Sequence, residues 1–164
     1  MFDLAVIDNL SNLFNSRQLH LDMANLSEHT SGYALLIIDI DDFKKYNDQF
    51  GHLLGDEVIR RFSSALRQAV DNQGQAYRYG GEEFVVIIQD PQGKIAYKVA
   101  QAVRDAVRAL AIPCDVSGRQ AIHVTASIGI AYQWKAESLL DTFGRADNAL
   151  YTAKITGKDR IIIG

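Results

Sequence analysis

Carboxylates stand beside two apolar segments of this chain, at the points where the apolar residues stop. Asp39 and Asp41 end one such segment on a shared face, and Glu82 and Glu83 come directly before another, 84–88. Acids at neighbouring strand ends repel one another and raise one another's pKa unless a cation lies between them. Mg²⁺ prefers oxygen ligands, usually one or two carboxylates together with substrate phosphates and water. The sequence therefore predicts a divalent metal site.

Two points about these acids stay open at the level of sequence. Asp39 alone could simply end a buried strand and cap the next helical turn. Successive strand residues point to opposite faces, so Glu82 and Glu83 cannot both reach one ion if the strand is regular there. A bulge would remove that exclusion. The sequence leaves open which of the two glutamates binds the metal.

A glycine pair precedes the second acidic pair. Gly80 and Gly81 can both adopt positive φ without a Cβ penalty, as a two-residue hairpin turn of the primed type requires. We therefore expect a tight turn between strands 75–79 and 84–88, with Glu82 and Glu83 at its end.

Apolar periodicity predicts the elements that hold these acids in place. An unbroken apolar run makes 33–41 a central strand, buried on both faces. Residues 42–54 are expected to form a helical turn and loop. The other predicted elements are helices through about 28, after 54 to 70, over 91–110 and over 138–155, with Leu140 facing inward, and strands 122–132 and 160–163. The order βαββαβ followed by αβ predicts an α+β fold of the split βαβ type. Its central, mostly antiparallel sheet is flanked by helices and carries a C-terminal αβ extension.

Composition limits the class of protein. The 164 residues fit one domain, 1–164, in which 1–32 form an N-terminal lead-in turn and helix. A net charge of −3 argues against a broad nucleic-acid surface. No apolar stretch suits a signal peptide or membrane contact, and the single Cys114 cannot form an internal disulfide, so we expect a cytoplasmic protein.

The segment 39–56, taken with Gly80-Gly81-Glu82-Glu83-Phe84, resembles the GGDEF family of diguanylate cyclases in its GGEEF version. The resemblance runs from about Asp8 to the C-terminus and implies a fold related to polymerase palms and nucleotidyl cyclases. It implies that two GTP are condensed into cyclic di-GMP and two pyrophosphates across a symmetric dimer of two copies. Relatives usually carry an upstream sensory or regulatory domain.

The resemblance also implies a metal centre. Asp39, the backbone carbonyl of Ile40 and Glu82 would hold Mg²⁺, two ions per half-site, with Mn²⁺ as a substitute. Glu82 would also accept the proton of the attacking hydroxyl, supported by Glu83. These roles follow from the family and not from the spacing of the residues.

Substrate residues are implied in the same way, although each has an ordinary explanation as well. Asn47, His52 and Asp56 would contact guanine and ribose, yet Asn and His are common in loops and Asp56 stands where a helix N-cap is expected. A carboxylate can accept two hydrogen bonds from the N1–H and 2-amino groups of guanine, so Asp56 favours GTP over ATP.

Phosphate contacts are expected at the backbone amides of Phe43 and Lys44 and at the side chains of Lys154 and Lys158. Both lysines also suit the end of a helix, where the helix dipole favours cations. Lys158 replaces the usual arginine and loses its bidentate geometry, which predicts weaker triphosphate binding.

Three departures from the family pattern bear on regulation and activity. Asp71 and Gly74 replace the Arg and Asp of the family's product-inhibition site, so we expect no such site here. Ser11, Asn12 and Ser16 replace the usual threonine, glycine and arginine near the N-terminus. Together with Lys158, these changes keep open an alternative, a catalytically degenerate GTP-binding regulatory module.

Overall fold

The structure, a computed structural model, describes residues 5–29 and 32–164. Residues 1–4 and 30–31, which belong to the predicted N-terminal lead-in, lie outside the described residues. The helices are α1 Ser16–His29, α2 Phe43–Phe50, α3 His52–Val70, α4 Ala96–Arg108 and α5 Leu139–Ile155. The strands are β1 Tyr33–Ile40, β2 Gln75–Arg78, β3 Glu83–Gln89, β4 Ile112–Pro113, β5 Ala121–Ile122, β6 Ala126–Tyr132 and β7 Ile161–Ile163.

The main sheet has five strands in the order β2-β3-β1-β6-β7, with β1 at its centre. Its pairs are antiparallel except for β6 and β7, which run parallel. The predicted α+β fold, with a mostly antiparallel sheet and a C-terminal αβ extension, is therefore confirmed. The unbroken apolar run correctly indicated the central strand, because only a strand covered on both faces buries every side chain.

The two faces of β1 enter two separate apolar clusters. Leu36 and Ile38 pack with α2, α3 and α4, whereas Leu35 and Ile37 pack with α1 and α5. Side chains alternate between the faces of a strand, so Asp39 shares its face with Leu35 and Ile37. The sheet thereby directs Asp39 toward α5.

The predicted helical turn and loop over 42–54 was wrong in detail. That segment forms α2 and the start of α3, separated by Gly51 alone, which has a φ of 88°. Glycine reaches this conformation without a Cβ penalty, so it allows the chain to change direction between the helices. Asp56 lies inside α3 and is not an N-cap, so that structural explanation of Asp56 does not hold.

The glycine hairpin is present, but the predicted two-residue turn was wrong. Four residues, 79–82, connect β2 to β3, and neither Gly80 nor Gly81 has a positive φ. The amides of Tyr79 and Gly80 both donate to the carbonyl of Glu83, at 2.8 and 3.2 Å. A wider loop thus places Glu82 before the regular strand.

Three further elements differ from the predictions. The expected strand 122–132 is divided, because β5 pairs with β4 in a separate two-stranded sheet and β6 begins at Ala126. The helix expected over 91–110 starts at Ala96, where the Asp90 carboxylate accepts backbone hydrogen bonds from residues 94–96. Leu140 is 73% exposed and does not face inward. No helix in the part of the chain that the structure describes is long and apolar enough to cross a membrane.

Candidate active site

The sheet brings the predicted metal residues together where the central strand β1 ends. Asp39 and Glu83 are direct partners in the antiparallel register of β1 and β3, so their side chains share a face. The amide of Ile40 donates to the carbonyl of Glu82 at 3.2 Å. Because Glu82 precedes the regular strand, the rule of alternating faces does not separate it from Glu83.

Burial and mutual repulsion raise the pKa values of these acids. Burial raises the pKa of Asp39, and the Asp41 charge raises it further, against the opposing effect of Lys154. Burial and then the charge of Asp39 raise the pKa of Glu82 and of Glu83. A site where ionised carboxylates are unfavourable gains free energy when a cation binds.

Lys154 of α5 supplies a positive charge at the same end of β1. Its Nζ lies 3.0 Å from Asp39 Oδ1 and 2.8 Å from Asp41 Oδ1. The lysine that was predicted to bind phosphate thus pairs with two acids at the end of β1, of which Asp39 is a predicted metal ligand.

Asp41 is the centre of a hydrogen-bond network that sequence reasoning missed. Its carboxylate, 2% exposed, accepts from the hydroxyls of Thr125 at 2.7 Å and Ser127 at 2.6 Å and from the amide of Asp159 at 3.0 Å. Burial alone would raise the pKa of Asp41, but the hydrogen bonds, led by that of Lys154, lower it overall. The one signal in the sequence was a polar Ser127 within the apolar run of β6.

The other predicted phosphate residues lie where β1 leads into α2. Lys158 Nζ lies 2.6 Å from Asp42 Oδ1, and both side chains are exposed. The hydrogen bond with Asp42 raises the pKa of Lys158. Phe43 and Lys44 occupy the first turn of α2, next to Asp42, so their backbone amides belong to the unsatisfied donors of a helix start.

The predicted nucleoside residues lie on two consecutive helices. Asn47 is on α2, Asp56 is on α3, and an exposed His52 begins α3. Asn47 Oδ1 is buried without a hydrogen-bond partner. A buried acceptor that lacks a donor costs about 1–3 kcal/mol, and a ligand that supplies the donor recovers this free energy.

An open cavity of about 470 Å³ adjoins the acids. Asp39, Glu83 and Lys154 line it together with three α5 residues that sequence reasoning missed, Asp147, Asn148 and Tyr151. Asp147, Tyr151 and Lys154 are separated by one helical turn each, which is the signal that could have found them. A second open cavity, of about 630 Å³, is lined by Asp42, Lys44, Lys45, Asp48 and Gln49.

Arg78 holds the acidic hairpin, and sequence reasoning missed this role as well. Its guanidinium donates to the carbonyls of Gly80 at 3.2 Å and Gly81 at 2.8 Å. It also forms an ion pair with Asp8 at 3.0 Å, and this contact helps lower the pKa of Asp8. Tyr79 packs against Phe143 of α5, so the loop that positions Glu82 is fixed from two sides.

The donor chemistry fits a divalent cation that is shared with a substrate. Within residues 5–29 and 32–164, no three His, Cys, Asp or Glu side chains form a ready metal cluster. Mg²⁺ needs only one or two carboxylates when phosphates and water complete its shell. Asp39, the Ile40 carbonyl and Glu82 meet that requirement.

Asp71 and Gly74 lie at the other end of the hairpin, before β2. Asp71 has a φ of 50°, and Gly74 is extended. A Cβ at Gly74 would lie 2.6 Å from the carbonyl oxygen of Ile87. The backbone around Gly74 therefore excludes an aspartate unless β2 or β3 moves.

The fold is an α+β domain with a mixed five-stranded sheet flanked by helices, and acids stand at the ends of its central strands. The chain belongs to the family described as diguanylate cyclase, GGDEF domain, which it matches over residues 5–160. Diguanylate cyclase VdcA of Vibrio cholerae is 38% identical over 96% of this chain and 47% of its own length. Response regulator PleD of Caulobacter vibrioides is 37% identical over 98% of this chain and 36% of its own.

Solved structures agree with the fold. Diguanylate cyclase SiaD of Pseudomonas aeruginosa, solved with its activator SiaC, superposes with a TM-score of 0.90 at 34% identity over 99% of this chain and 63% of its own. The GGDEF domain of DgcB from Caulobacter crescentus, solved with c-di-GMP, gives 0.87 at 31% identity, covering 99% and 98%. The chain spans half or less of the length of the first curated relatives.

Proposed function

We propose that this chain is a diguanylate cyclase domain that condenses two GTP into cyclic di-GMP and two pyrophosphates. The observation that carries the proposal is the placement of the acids, because the register of β1 and β3 sets Asp39 opposite Glu83 and the amide of Ile40 donates to the carbonyl of Glu82. The raised pKa values of Asp39, Glu82 and Glu83 agree with this placement. Relatives named diguanylate cyclase align with this chain over nearly all its length. On this proposal residues 1–164 form one domain, with 1–32 as its lead-in.

The acids of the GGEEF signature and of β1 form the proposed metal centre. Asp39, the Ile40 carbonyl and Glu82 hold Mg²⁺, two ions per half-site, and Mn²⁺ can replace it. When bound there, the metal would supply positive charge to the α-phosphate, the attacking 3′-hydroxyl and the leaving pyrophosphate. Glu82 accepts the hydroxyl proton, and Glu83 supports Glu82 from the same face as Asp39.

The nucleotide extends from α3 to the acids in this proposal. Asp56 and Asn47 recognise the guanine, and His52 contacts the guanosine. The amides of Phe43 and Lys44 and the amines of Lys154 and Lys158 bind the phosphates.

One chain binds one GTP, so the reaction needs a second copy facing it. Each 3′-hydroxyl then attacks the α-phosphate of the other nucleotide. An upstream regulatory domain in the whole protein would supply a high effective concentration of the two copies. The longer curated relatives are consistent with such an arrangement.

The test is conversion of GTP with Mg²⁺ over a wide range of protein concentration, with products separated by chromatography and identified by mass. We expect cyclic di-GMP at a specific rate that rises with protein concentration. GTP binding without product at every concentration would instead identify the alternative, a degenerate GTP-binding module, which the substituted N-terminal residues and Lys158 favour.

We also propose that the domain lacks the family's product-inhibition site. Asp71 would repel a phosphate. The backbone around Gly74 is too crowded for the aspartate that is usual there, which supports this proposal. Initial rates measured with added cyclic di-GMP should show no noncompetitive inhibition. Micromolar noncompetitive inhibition that disappears in Asp71→Ala would contradict this proposal.

A further inference from the structure

Gly55 and Asn47 are packed together so closely that a side chain at position 55 would force the carboxamide of Asn47 to move. A Cβ at Gly55 would lie 1.7 Å from Asn47 Oδ1 and 2.8 Å from Asn47 Cγ. Real Cβ atoms do not come within 3.0 Å of another heavy atom. The carboxamide of Asn47 therefore occupies the space that a side chain at Gly55 would take.

Glycine at this place is not explained by the helix that contains it. Gly55 is buried in α3 and has no positive φ, so its backbone conformation is one that alanine also adopts. Alanine is the most favourable helix residue and glycine is among the least favourable. The contact with Asn47 is what requires the glycine.

The backbone that carries Asn47 is held in place. The carbonyl of Asn47 accepts from the amide of Gly51 at 2.8 Å, which fixes the end of α2. Tyr46 anchors the same helix by donating its hydroxyl to the carbonyl of His123 at 2.9 Å. Because the backbone is held, a side chain at position 55 would displace the amide and not the helix.

The amide oxygen in this contact is an acceptor that receives no hydrogen bond. Asn47 Oδ1 is buried and has no hydrogen-bond partner, although buried polar atoms are nearly always paired. Asp56 follows Gly55 directly on α3. The turn of α3 that receives the amide therefore also carries the carboxylate expected to bind guanine.

We propose that Gly55 is a positioning residue for nucleobase recognition. Its missing side chain lets the carboxamide of Asn47 lie with its oxygen against α3, on the turn that carries Asp56, and so sets the orientation in which the amide meets guanine. This inference rests on the proposed function, because it takes Asn47 and Asp56 as the guanine residues. Gly55 itself does not touch the nucleotide.

The experiment measures binding of 3′-deoxy-GTP and 3′-deoxy-ATP with Mg²⁺ by calorimetry. Both probes lack the attacking hydroxyl, so they bind without reaction. We expect Gly55→Ala to weaken 3′-deoxy-GTP binding at least tenfold and to lower the preference for guanine over adenine. A purely structural role of Gly55 would leave that preference unchanged.

Gly144→Ala is the matched control. Gly144 also lies within a helix, α5, but a Cβ there meets no atom within 4 Å. Binding should be unchanged in this variant. Thermal unfolding followed by circular dichroism checks that each variant is folded.

A double-mutant cycle isolates the contact. Asn47→Ala alone should weaken 3′-deoxy-GTP binding, and Gly55→Ala added to it should change binding less than twofold, because the amide that clashes is gone. This comparison also decides the case in which Gly55→Ala alone does not fold. A further tenfold loss in the double variant would overturn the inference.

The two proposals fail in different ways. If the unmodified chain binds 3′-deoxy-GTP with a guanine preference and Gly55→Ala keeps both the affinity and the preference of the unmodified chain, the role of Gly55 is wrong and the proposed function stands. If the unmodified chain binds no guanine nucleotide, the proposed function itself is wrong.

Discussion

Asp39 and Asp41 flank Ile40 and share Lys154, yet their carboxylates are held in opposite ways. Asp41 accepts hydrogen bonds from two hydroxyls, one amide and the lysine, and its pKa is lowered. Asp39 makes one such contact within the described part of the chain, with Lys154, and its pKa is raised.

The difference separates a structural acid from one that can bind a ligand. A carboxylate whose lone pairs already accept hydrogen bonds has nothing left to offer a metal ion. A partly buried carboxylate with few donors and acidic neighbours is stabilised by a cation. Asp41 therefore holds β6 and the turn before β7 at the end of β1, whereas Asp39 is the acid that the proposed function uses.

Removing the charge of Asp39 or Glu82 should have the largest effect on activity. Asp39→Asn or Glu82→Gln should lower the rate of cyclic di-GMP formation at least about a thousandfold, because metal-centred stabilisation is worth several kcal/mol. The free energy of unfolding should stay within about 1 kcal/mol, since a partly exposed ion pair contributes little. Rates are measured by chromatography and stability by urea unfolding.

The contrast between a chemical and a structural acid would be contradicted if either variant kept more than a tenth of the activity. That result would remove the residue from catalysis. Glu57→Gln, which alters an exposed ion pair with Arg61 on α3, serves as the control and should keep both activity and stability.

Asp41→Asn should show the opposite balance. The free energy of unfolding should fall by about 2–4 kcal/mol, because the change leaves the buried hydroxyl and amide donors without a charged acceptor and removes one of the two carboxylates that pair with Lys154. Urea unfolding of Asp41→Asn beside Asp39→Asn checks this order. If Asp39→Asn proved the less stable of the two, the assignment of structural and chemical acids would be reversed.

The two acids should respond to pH in opposite directions. For Asp39, whose folded pKa is raised, the native state holds its proton longer, so the stability contribution falls as pH rises above its ordinary value of 3.8. For Asp41, whose folded pKa is lowered, the contribution is present above 3.8 and is lost as pH falls through the folded pKa.

Urea unfolding across that range tests this expectation. Asp39→Asn should gain stability relative to the unmodified chain as pH rises, and Asp41→Asn should lose the acid dependence that Asp41 contributes. Curves that stay parallel at every pH would show that neither carboxyl titrates differently in the folded state.

The smallest effect is expected at Asp42, whose ion pair with Lys158 is exposed. Asp42→Asn frees Lys158 for the triphosphate and should lower KM for GTP about two- to threefold at low salt, with little change at high salt. Stability should be unchanged. Asp105→Asn, which removes an exposed partner of Arg104, is the control. A raised KM would mean that Asp42 supports binding instead of competing for the lysine.

The sequence predicted the features that depend on local pattern. The apolar run before Asp39 indicated a central strand, and the acids at the ends of β1 and β3 indicated the candidate site, whose Asp39 and Glu83 the strand register brings together. Contacts between distant segments were not predictable in this way. Thr125, Ser127 and Asp159 reach Asp41 only because the sheet places β6 and the turn before β7 beside it. The hairpin is held by Arg78, so the glycine pair did not need the expected tight turn.

The pair between Lys154 and Asp39 joins residues 115 positions apart. During synthesis on the ribosome, β1 emerges long before α5, so Asp39 and Asp41 remain without Lys154 until α5 has been made. Strand β6, which also borders β1, emerges before α5. A nascent chain therefore cannot bring Lys154 to Asp39 before α5 has left the exit tunnel. Truncated products that end between β6 and α5 keep Thr125 and Ser127 but lack Lys154 and the amide of Asp159, two of the four groups that donate to Asp41.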